Sequence, residues 1–216
     1  MAQRTIHMLF AVLLSEKIAI TDPNRFMLGN ILPDSYKDPA ARKTAHYIKS
    51  IPEGDQRFFD FPDFLDSFRQ EILTDDLYLG YYAHLVEDAF YRYFLYCEKD
   101  LMDRISKPEL DILYTDYHIL NSYIAKKYDL PTDLTAPEAF GEEPLNRITE
   151  FDARGIICEY QNDLTEAVGG QTTFLTEDML EEFVAEYIDL LADELWNVRL
   201  GSSLLNALDY KWQNKR

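Results

Sequence analysis

Cysteine and long apolar runs are both scarce in this 216-residue chain. Its two cysteines, Cys97 and Cys158, do not form a CxxC pair, which argues against a disulfide framework and a zinc ribbon. No stretch reaches the roughly 20 apolar residues that a membrane span needs. The apolar run near the N-terminus stops at Ser15 and lacks the cleavage pattern of a signal peptide. We therefore expect a cytoplasmic protein that does not insert into membranes.

Basic residues are also few: 21 lysines and arginines face 39 acidic residues, for a net charge of −18. Such a surface repels both nucleic-acid backbones and anionic membranes, so we expect neither as a bulk electrostatic partner. A local site can still differ from the whole surface.

The chain shows no break in composition, so we expect a single domain over 1–216, and its 15 tyrosines and 13 phenylalanines are typical of a globular protein. No alternating strand pattern or βαβ pattern is present, and apolar residues recur at helical spacing, which predicts an all-α fold. Residues 130–148, rich in proline and acidic residues, form either a lid or a long surface connection. The predicted helices cover about 4–18, 61–73, 77–97, 106–128, 149–168 and 176–199, with a short terminal helix.

The helix over 77–97 carries the most informative pair, His84 and Asp88. Their spacing of four places both on one helical face, amid residues that are apolar on every side. A buried imidazole and carboxylate need a partner, because a buried unpaired charge is costly. Two interpretations stay open for this pair alone: a hydrogen-bonded core pair or a metal site.

The other histidines and nearby aspartates are further candidate ligands. His7 shares the apolar side of the first helix, whereas His46 alone is typical of a surface or hydrogen-bonded histidine. Asp34 follows Pro33. Because a residue before proline is biased away from helix, the position of Leu32 before Pro33 predicts that Asp34 lies in a rigid loop. Asp34 is then either a ligand or a helix N-cap, and spacing alone favours the cap. Asp116 and His118 lie near the middle of the helix over 106–128.

Histidines and aspartates without cysteine offer only nitrogen and oxygen ligands, which suit zinc and also manganese, iron or nickel. The alternative is a structural hydrogen-bond network. Because nearly all the histidines lie beside acids in apolar or proline-anchored contexts, the metal interpretation is favoured. The candidate ligands are His7, Asp34, His46, His84, Asp88, Asp116 and His118.

Four short motifs within roughly the first 120 residues resemble, in order and approximate spacing, those of a known protein family. In order they are Arg4-x-x-His7, Gly29-Asn30-Ile31-Leu32-Pro33-Asp34, Lys43-Thr44-Ala45-His46 and Gly80-Tyr81-x-x-His84-x-x-x-Asp88. Together they resemble the bacterial zinc-dependent phospholipase C family and the related P1-type nucleases. The resemblance implies a multi-helix bundle that holds a cluster of three zinc ions, which activate water for phosphoester hydrolysis.

By position, the resemblance implies that Asp34, His46, His84 and Asp88 hold one metal ion. Asp88 would bridge to a second ion that His7 also binds, and Asp34 would be the position of the general base. Metal-bound water loses its proton near neutral pH, and paired ions can clamp the attacking and leaving oxygens.

The chain also departs from the family. The N-terminal tryptophan ligand of secreted members is missing, and so is the lipid-binding accessory domain of toxin members. His118 is followed four residues later by Ser122, where the family has a glutamate, so Asp116 and His118 would form a reduced third site. We therefore expect one or two ions.

Two functions follow from these residues. The first is a cytoplasmic metal-dependent phosphoesterase acting on a small soluble phosphoester or nucleotide, with Lys37, Arg42, Lys43 or Arg92 as phosphate contacts. The second is a non-catalytic metal-binding protein in which the ion stabilises the helices or a partner surface. Helical phosphohydrolases of the His-Asp type fit less well, because no adjacent His-Asp pair is present.

Overall fold

The computed structural model describes residues 2–52, 54–166 and 168–213. Helices make up 68% and strands 5% of the structure, which confirms the predicted all-α class. The α-helices are α1 (Arg4–Lys17), α2 (Pro23–Ile31), α3 (Arg42–Ala45), α4 (Phe61–Ser67), α5 (Arg69–Thr74), α6 (Asp76–Tyr93), α7 (Leu101–Arg104), α8 (Leu110–Lys127), α9 (Ala153–Thr165) and α10 (Glu177–Arg199).

Helix α6 forms the centre of the molecule. Every residue from Asp76 to Tyr91 is buried, as expected for a helix that is apolar on all sides. The side chain of Asp75 caps its start by accepting a hydrogen bond from the backbone N–H of Leu77. Helices α1, α2, α4, α5 and α10 pack around it. Its end continues into a π-helical turn, Phe94–Glu98.

Two glycines allow α2 and α6 to touch through their backbones. A Cβ atom on Gly29 would lie 2.1 Å from the carbonyl oxygen of Leu77, and one on Gly80 would lie 2.1 Å from that of Phe26. Real side chains do not approach this closely, so the crossing requires glycine at both positions. The close crossing brings Asn30 at the end of α2 against the middle of α6.

A small antiparallel sheet lies beside the helices, in the order β1 (Ile48–Ser50), β2 (Gln56–Phe59) and β3 (Trp212–Gln213). Ile48 pairs with Phe59, and Arg57 pairs with Trp212. The sequence did not predict these strands, because segments of two to four residues are too short to show an alternating pattern.

Two local predictions differ from the structure. The helix predicted over 61–73 is divided at Phe68, which leaves the helical conformation with φ at −128° and ψ at 27°. Leu32 is helical, with φ at −61° and ψ at −37°, and begins a 3₁₀ turn, Leu32–Ser35. Leu32 thus keeps a helical backbone that the ring of the following proline disfavours, whereas Pro33 itself fits the start of the turn, where its missing N–H loses no helical hydrogen bond.

The segment over 130–148 is anchored to the helical core. It contains two 3₁₀ turns, Phe140–Glu142 and Pro144–Arg147. Glu143 accepts hydrogen bonds from Arg25 in α2 and Tyr78 in α6. These contacts tie the segment to the N-terminal ends of both helices.

None of the helices in the described ranges combines the length and the hydropathy that a membrane span requires.

Candidate metal centre and its cleft

Five predicted ligands meet between four elements of the fold. They are His7 in α1, Asp34 in the 3₁₀ turn after α2, His46 directly after α3, and His84 and Asp88 in α6. We call these five residues the His–Asp cluster. Two trios within it, His7 with Asp34 and His84, and His46 with His84 and Asp88, each place their ligand atoms within 4.8 Å of one another.

The contacts within the cluster come close to the separations of ligands around an ion. Nε2 of His46 lies 3.1 Å from Oδ1 of Asp34 and 3.8 Å from Oδ2 of Asp88. Nε2 of His84 lies 3.7 Å from Oδ2 of Asp88, and Nε2 of His7 lies 3.7 Å from its Oδ1. Ligands about 2.1 Å from one ion stand roughly 3 to 3.5 Å apart, so small movements would close the cluster around a cation.

Asp34 is not the N-cap that its spacing favoured. The 3₁₀ turn before α3 is capped by Asp38, and α3 itself begins after Ala41. The carboxylate of Asp34 instead faces His46, which is completely buried and not on the surface. Asp34 in the 3₁₀ turn and the buried His46 are thus in direct contact.

Hydrogen bonds to the outer nitrogens orient two of the imidazoles. Nδ1 of His84 lies 2.7 Å from the backbone oxygen of Asn30, and Nδ1 of His46 lies 2.9 Å from that of Arg42. A carbonyl oxygen only accepts hydrogen bonds, so each Nδ1 carries the proton. The neutral form of each ring therefore turns the lone pair of Nε2 into the cluster. This is how second-layer partners orient histidine ligands in metal sites.

Several atoms at the centre have no hydrogen-bond partner among the described residues: His7 Nε2, His84 Nε2 and Asp88 Oδ2. All three are buried, and an unsatisfied buried polar atom costs about 1–3 kcal/mol. Lone pairs of imidazoles that face carboxylate oxygens repel one another unless a positive charge lies between them. The cluster therefore needs protons or a cation at its centre.

Protons are the less favourable solution. Burial, and next the charge of His84, lower the pKa of His7 to about 3, and burial also lowers the pKa of His84. Burial raises the pKa of Asp34, but the contact with His46 and the charge of His84 outweigh it and leave that pKa below its ordinary value. Neutral imidazoles and ionised carboxylates are the forms that bind metal ions. The residues present therefore fit a divalent cation.

Glu87 and Asn30 form an outer layer that the sequence did not reveal as functional. Oε2 of the fully buried Glu87 lies 2.6 Å from Nδ1 of His7, and its Oε1 accepts a hydrogen bond of 2.9 Å from Nδ2 of Asn30. Burial raises the pKa of Glu87 well above its ordinary value. A cation on Nε2 of His7 would favour the proton on Nδ1 and so an ionised Glu87. The only sequence signal is an acid on the buried face of α6, next to Asp88.

A cleft of about 430 Å³ opens beside Asp34. The side chain of Asp34 is 12% exposed, whereas those of His7, His46, His84 and Asp88 are 0% exposed, so a ligand in the cleft meets the cluster at Asp34. We call this opening the arginine cleft. Its arginines and tyrosines are Arg4, Arg42, Arg92, Tyr36, Tyr91, Tyr96, Tyr114 and Tyr117. No described residue of the segment over 130–148 lines it, so that segment does not cover the cluster.

Arg92 is the arginine best placed to recognise an anion. It follows Asp88 by one helical turn in α6 and donates from Nη1 to the hydroxyl of Tyr96 at 2.7 Å. Its Nε is buried and lacks a partner, and no carboxylate within the described ranges forms an ion pair with it. Arg4, by contrast, is held by Glu159 and Asp163.

Two of the predicted phosphate contacts lie elsewhere. Lys43 lines a separate cavity together with Tyr47 and Lys49. Nζ of Lys37 lies 3.5 Å from Oε2 of Glu150, and Lys37 borders a third cavity. Of the predicted cationic contacts, Arg42 and Arg92 are thus the two that line the arginine cleft.

The structure does not bring Asp116 and His118, the residues of the predicted reduced third site, into the His–Asp cluster. Both carboxylate oxygens of Asp116 accept backbone N–H groups, from Thr173, Phe174 and Leu175, and so anchor the chain before α10. His118 is 43% exposed on the rim of the arginine cleft, where Nδ1 lies 3.6 Å from Glu166. Neither residue contributes to the trios of the His–Asp cluster.

Comparisons with protein-family models, curated proteins and solved structures find no match for this chain. The resemblance to the phospholipase C and P1-type nuclease families therefore remains a prediction based on the four sequence motifs.

Proposed function

We propose that this protein is a metal-dependent hydrolase of soluble phosphoesters, with the helical fold that the phospholipase C and P1-type resemblance implies. The observation that carries the proposal is the placement of Asp34. It joins the buried cluster of orphaned nitrogen and oxygen atoms to a cleft lined by arginines. A buried metal centre that reaches a cation-lined opening suits a phosphate substrate.

His7, Asp34, His46, His84 and Asp88 would hold the metal. A divalent ion held there would supply a lowered pKa of bound water and polarisation of a phosphoryl oxygen. Zinc is the ion that the resemblance implies, and manganese, iron and nickel accept the same ligand types.

Asp34 is the residue we assign to the proton transfer. It is the most accessible carboxylate of the cluster, and its lowered pKa keeps it ionised at neutral pH. An ionised carboxylate accepts a hydrogen bond from an attacking water and orients it toward a substrate in the cleft. Nε2 of His46 lies 3.1 Å from this carboxylate, so an ion bound by both residues would hold Asp34 in this position.

Arg92 and Arg42 are the groups we assign to substrate binding. Guanidinium groups match the oxygens of phosphate and can bind them in pairs. The ring of Tyr96, 4.8 Å from the guanidinium carbon of Arg92, holds that side chain over the cleft. Because the chain carries a net charge of −18, a local cationic surface is needed to attract an anionic substrate.

The test measures metal content and phosphoester hydrolysis on the same preparations, with aryl phosphate monoesters and diesters as substrates. The metal-loaded protein should turn over at least one substrate class, and chelation should abolish this. Asp34→Asn should lower kcat at least about 100-fold, as loss of a general base does. Arg92→Met should mainly raise KM. Lys37→Met, which removes a cation outside the cleft, is the matched control and should change neither.

A non-catalytic metal protein is the alternative. Such a protein would bind metal through His84 and remain folded. It would not hydrolyse monoesters or diesters in a reaction that Asp34→Asn abolishes. That result would contradict the hydrolase and leave the metal centre intact.

A further inference from the structure

A second cavity, of about 570 Å³, lies apart from the arginine cleft. Its walls come from α3, β1, α4 and the 3₁₀ turn Pro144–Arg147. No described residue lines both openings, and none of the five residues of the His–Asp cluster lines this one. Its volume is within the range of about 300–1,000 Å³ that is typical of small-molecule sites. We call it the Lys43 cavity.

The charged residues of the Lys43 cavity are mostly basic, in contrast to the chain as a whole. Three of the four are Lys43, Lys49 and Arg147, and the fourth is Asp63. The whole chain has 21 basic and 39 acidic residues. Lys49 offsets the acid, because its Nζ lies 2.6 Å from Oδ2 of Asp63 and 2.7 Å from Oδ2 of Asp60. The cavity therefore keeps the positive charges of Lys43 and Arg147.

Both of these cations are available to a ligand. Lys43 forms no ion pair with any residue in the described ranges. Nη2 of Arg147 lies 4.0 Å from Oε1 of Glu71, at the outer limit of an ion pair, and its Nε donates to the backbone oxygen of Pro144 at 3.2 Å. An anion could therefore bind either side chain without breaking a close internal ion pair.

Aromatic rings form the apolar part of the cavity. Phe68, 4% exposed, lies where the chain interrupts the helix between α4 and α5, and the guanidinium carbon of Arg147 lies 5.8 Å from the centre of its ring. Tyr47 is held by its own contacts. Its ring packs edge-on against Phe64, and its backbone oxygen accepts a hydrogen bond of 2.8 Å from the N–H of Asp60. The rings of Phe68 and Tyr47 thus offer fixed surfaces to a flat apolar group.

The backbone of Tyr47 gives a further reason to look for a ligand here. Its φ of 51° lies in the left-handed region, which is unusual for a bulky side chain. Such conformations cost free energy and are concentrated at active sites and ligand sites.

We propose that the Lys43 cavity is a second ligand site, for a small organic anion with a flat apolar body and one carboxylate or similar acidic group. The body would pack on Phe68 and Tyr47, and the acidic group would lie within reach of Lys43 and Arg147. An inorganic anion would leave the rings uncovered, and a neutral apolar molecule would leave both cations unpaired. The inference is independent of the proposed hydrolase, because the two sites share no described residue.

The experiment titrates the metal-free full chain with naphthalenesulfonate, an aromatic anion, and measures binding by isothermal titration calorimetry. We expect one site with a Kd of about 1 mM or tighter, which is typical for a ligand of this size. Naphthol, which has the same ring system without the charge, should bind at least about 10-fold more weakly. Inorganic sulfate, which has charge without a ring, should not displace the probe at an equal concentration.

Substitutions place the probe in the cavity. Lys43→Met and Arg147→Met should each weaken binding about 3- to 10-fold, because each removes one charged partner and keeps an apolar stem. Ser67→Trp fills the cavity from an exposed position and should abolish binding while both charges remain. Lys37→Met, at a different cavity, and Arg92→Met, in the arginine cleft, are the controls and should bind the probe as the wild type does. Circular dichroism verifies that each variant is folded.

Four results would overturn the proposal. The first is a folded wild type that does not bind the probe at about 5 mM. The second is binding that Arg92→Met weakens and Lys43→Met does not, which would place the probe in the arginine cleft. The third is equal affinity for naphthol, which would show that the cations do not contribute. The fourth is displacement by an equal concentration of sulfate, which would show a site for simple anions. None of these results bears on the hydrolysis of phosphoesters.

Discussion

Glu87 contacts the His–Asp cluster from outside, on the far side of His7 from its centre. It connects His7 to Asn30, and Asn30 in turn accepts the hydrogen bond of His84 through its backbone oxygen. One buried carboxylate thereby links the outer nitrogens of two candidate ligands. Partners of this kind fix the orientation of the ring and make the ligating nitrogen more basic. The rings of His7 and His84 are stacked, with centroids 3.8 Å apart, so the orientation of one constrains the other.

Glu87→Gln should therefore weaken metal binding by about 10- to 100-fold with little change in stoichiometry. The amide keeps the size of the side chain and can still accept from Nδ1 of His7, but it removes the negative charge that stabilises a nearby cation. Competition with a chelating dye measures the affinity. Glu138→Gln, an exposed glutamate, is the control and should bind as the wild type does. Equal affinity in the two variants would contradict a contribution of the negative charge of Glu87 to metal binding.

At the scale of the element, the crossing of α2 and α6 sets the distance between Asn30 and its partners. The backbones meet at Gly29 and Gly80, directly beside the hydrogen bonds from Asn30 to Glu87 and from His84 to Asn30. A methyl group at either glycine would collide with a backbone carbonyl, which cannot rotate away as a side chain can. The helices would have to separate, and the outer layer of the cluster would separate with them.

Gly80→Ala should therefore lower both stability and metal affinity. Alanine gains about 1 kcal/mol over glycine in a helix interior, but overpacking costs typically 1–3 kcal/mol and here acts on rigid backbone, so the net effect is a loss. Urea denaturation measures the free energy of unfolding, and dye competition measures the affinity. Gly141→Ala is the matched control, because a Cβ there would meet no atom within 4 Å. A Gly80→Ala variant as stable as this control would contradict the close crossing.

Helix periodicity predicted the long elements well, because each depends on a repeated pattern. α1 and α10 begin and end within one residue of the predicted bounds, whereas α9 begins at Ala153 and ends at Thr165, inside the prediction over 149–168. The predicted ligands His84 and Asp88 needed only helical spacing. His46 could be placed by resemblance alone, since its burial depends on contacts with residues distant in sequence.

Glu87 and Asn30 could not be recognised from sequence for a related reason. Glu87 is one of 39 acidic residues, and its function depends on facing His7 across a separate helix. Asn30 acts through its backbone oxygen as well as its side chain, and a backbone contact leaves no trace in residue type. Asp116 shows the same limit from the other side: its position beside His118 indicates a ligand in the sequence, but the sequence does not show that its oxygens accept backbone N–H groups.

At the scale of the whole molecule, tyrosine is the dominant buried polar residue. Burial raises the pKa of Tyr81, Tyr82 and Tyr91 well above the ordinary value, and it raises that of Tyr117 to about 12. Their hydroxyls are hydrogen-bonded, for example from Tyr91 to the oxygen of Tyr117 at 3.2 Å, so the folded state holds these protons firmly. The folded and unfolded chains therefore differ in proton content at alkaline pH.

We expect the protein to lose stability steeply as the pH rises above about 10, where phenols of the unfolded chain ionise. Over that range the unfolded state binds fewer protons than the folded state, so the free energy of unfolding falls with rising pH. Each buried tyrosine contributes a slope of about 1.4 kcal/mol per pH unit, and the contribution of Tyr117 ends near its folded pKa of about 12.

Urea denaturation of the metal-free chain across this pH range measures the slope, and phenolate absorbance reports the ionisation. Tyr91→Phe should flatten the slope, whereas Tyr114→Phe, which removes a phenol that is 58% exposed, should leave it unchanged. An equal slope in wild type and Tyr91→Phe would show that the ionisation of Tyr91 does not limit the alkaline stability of the fold.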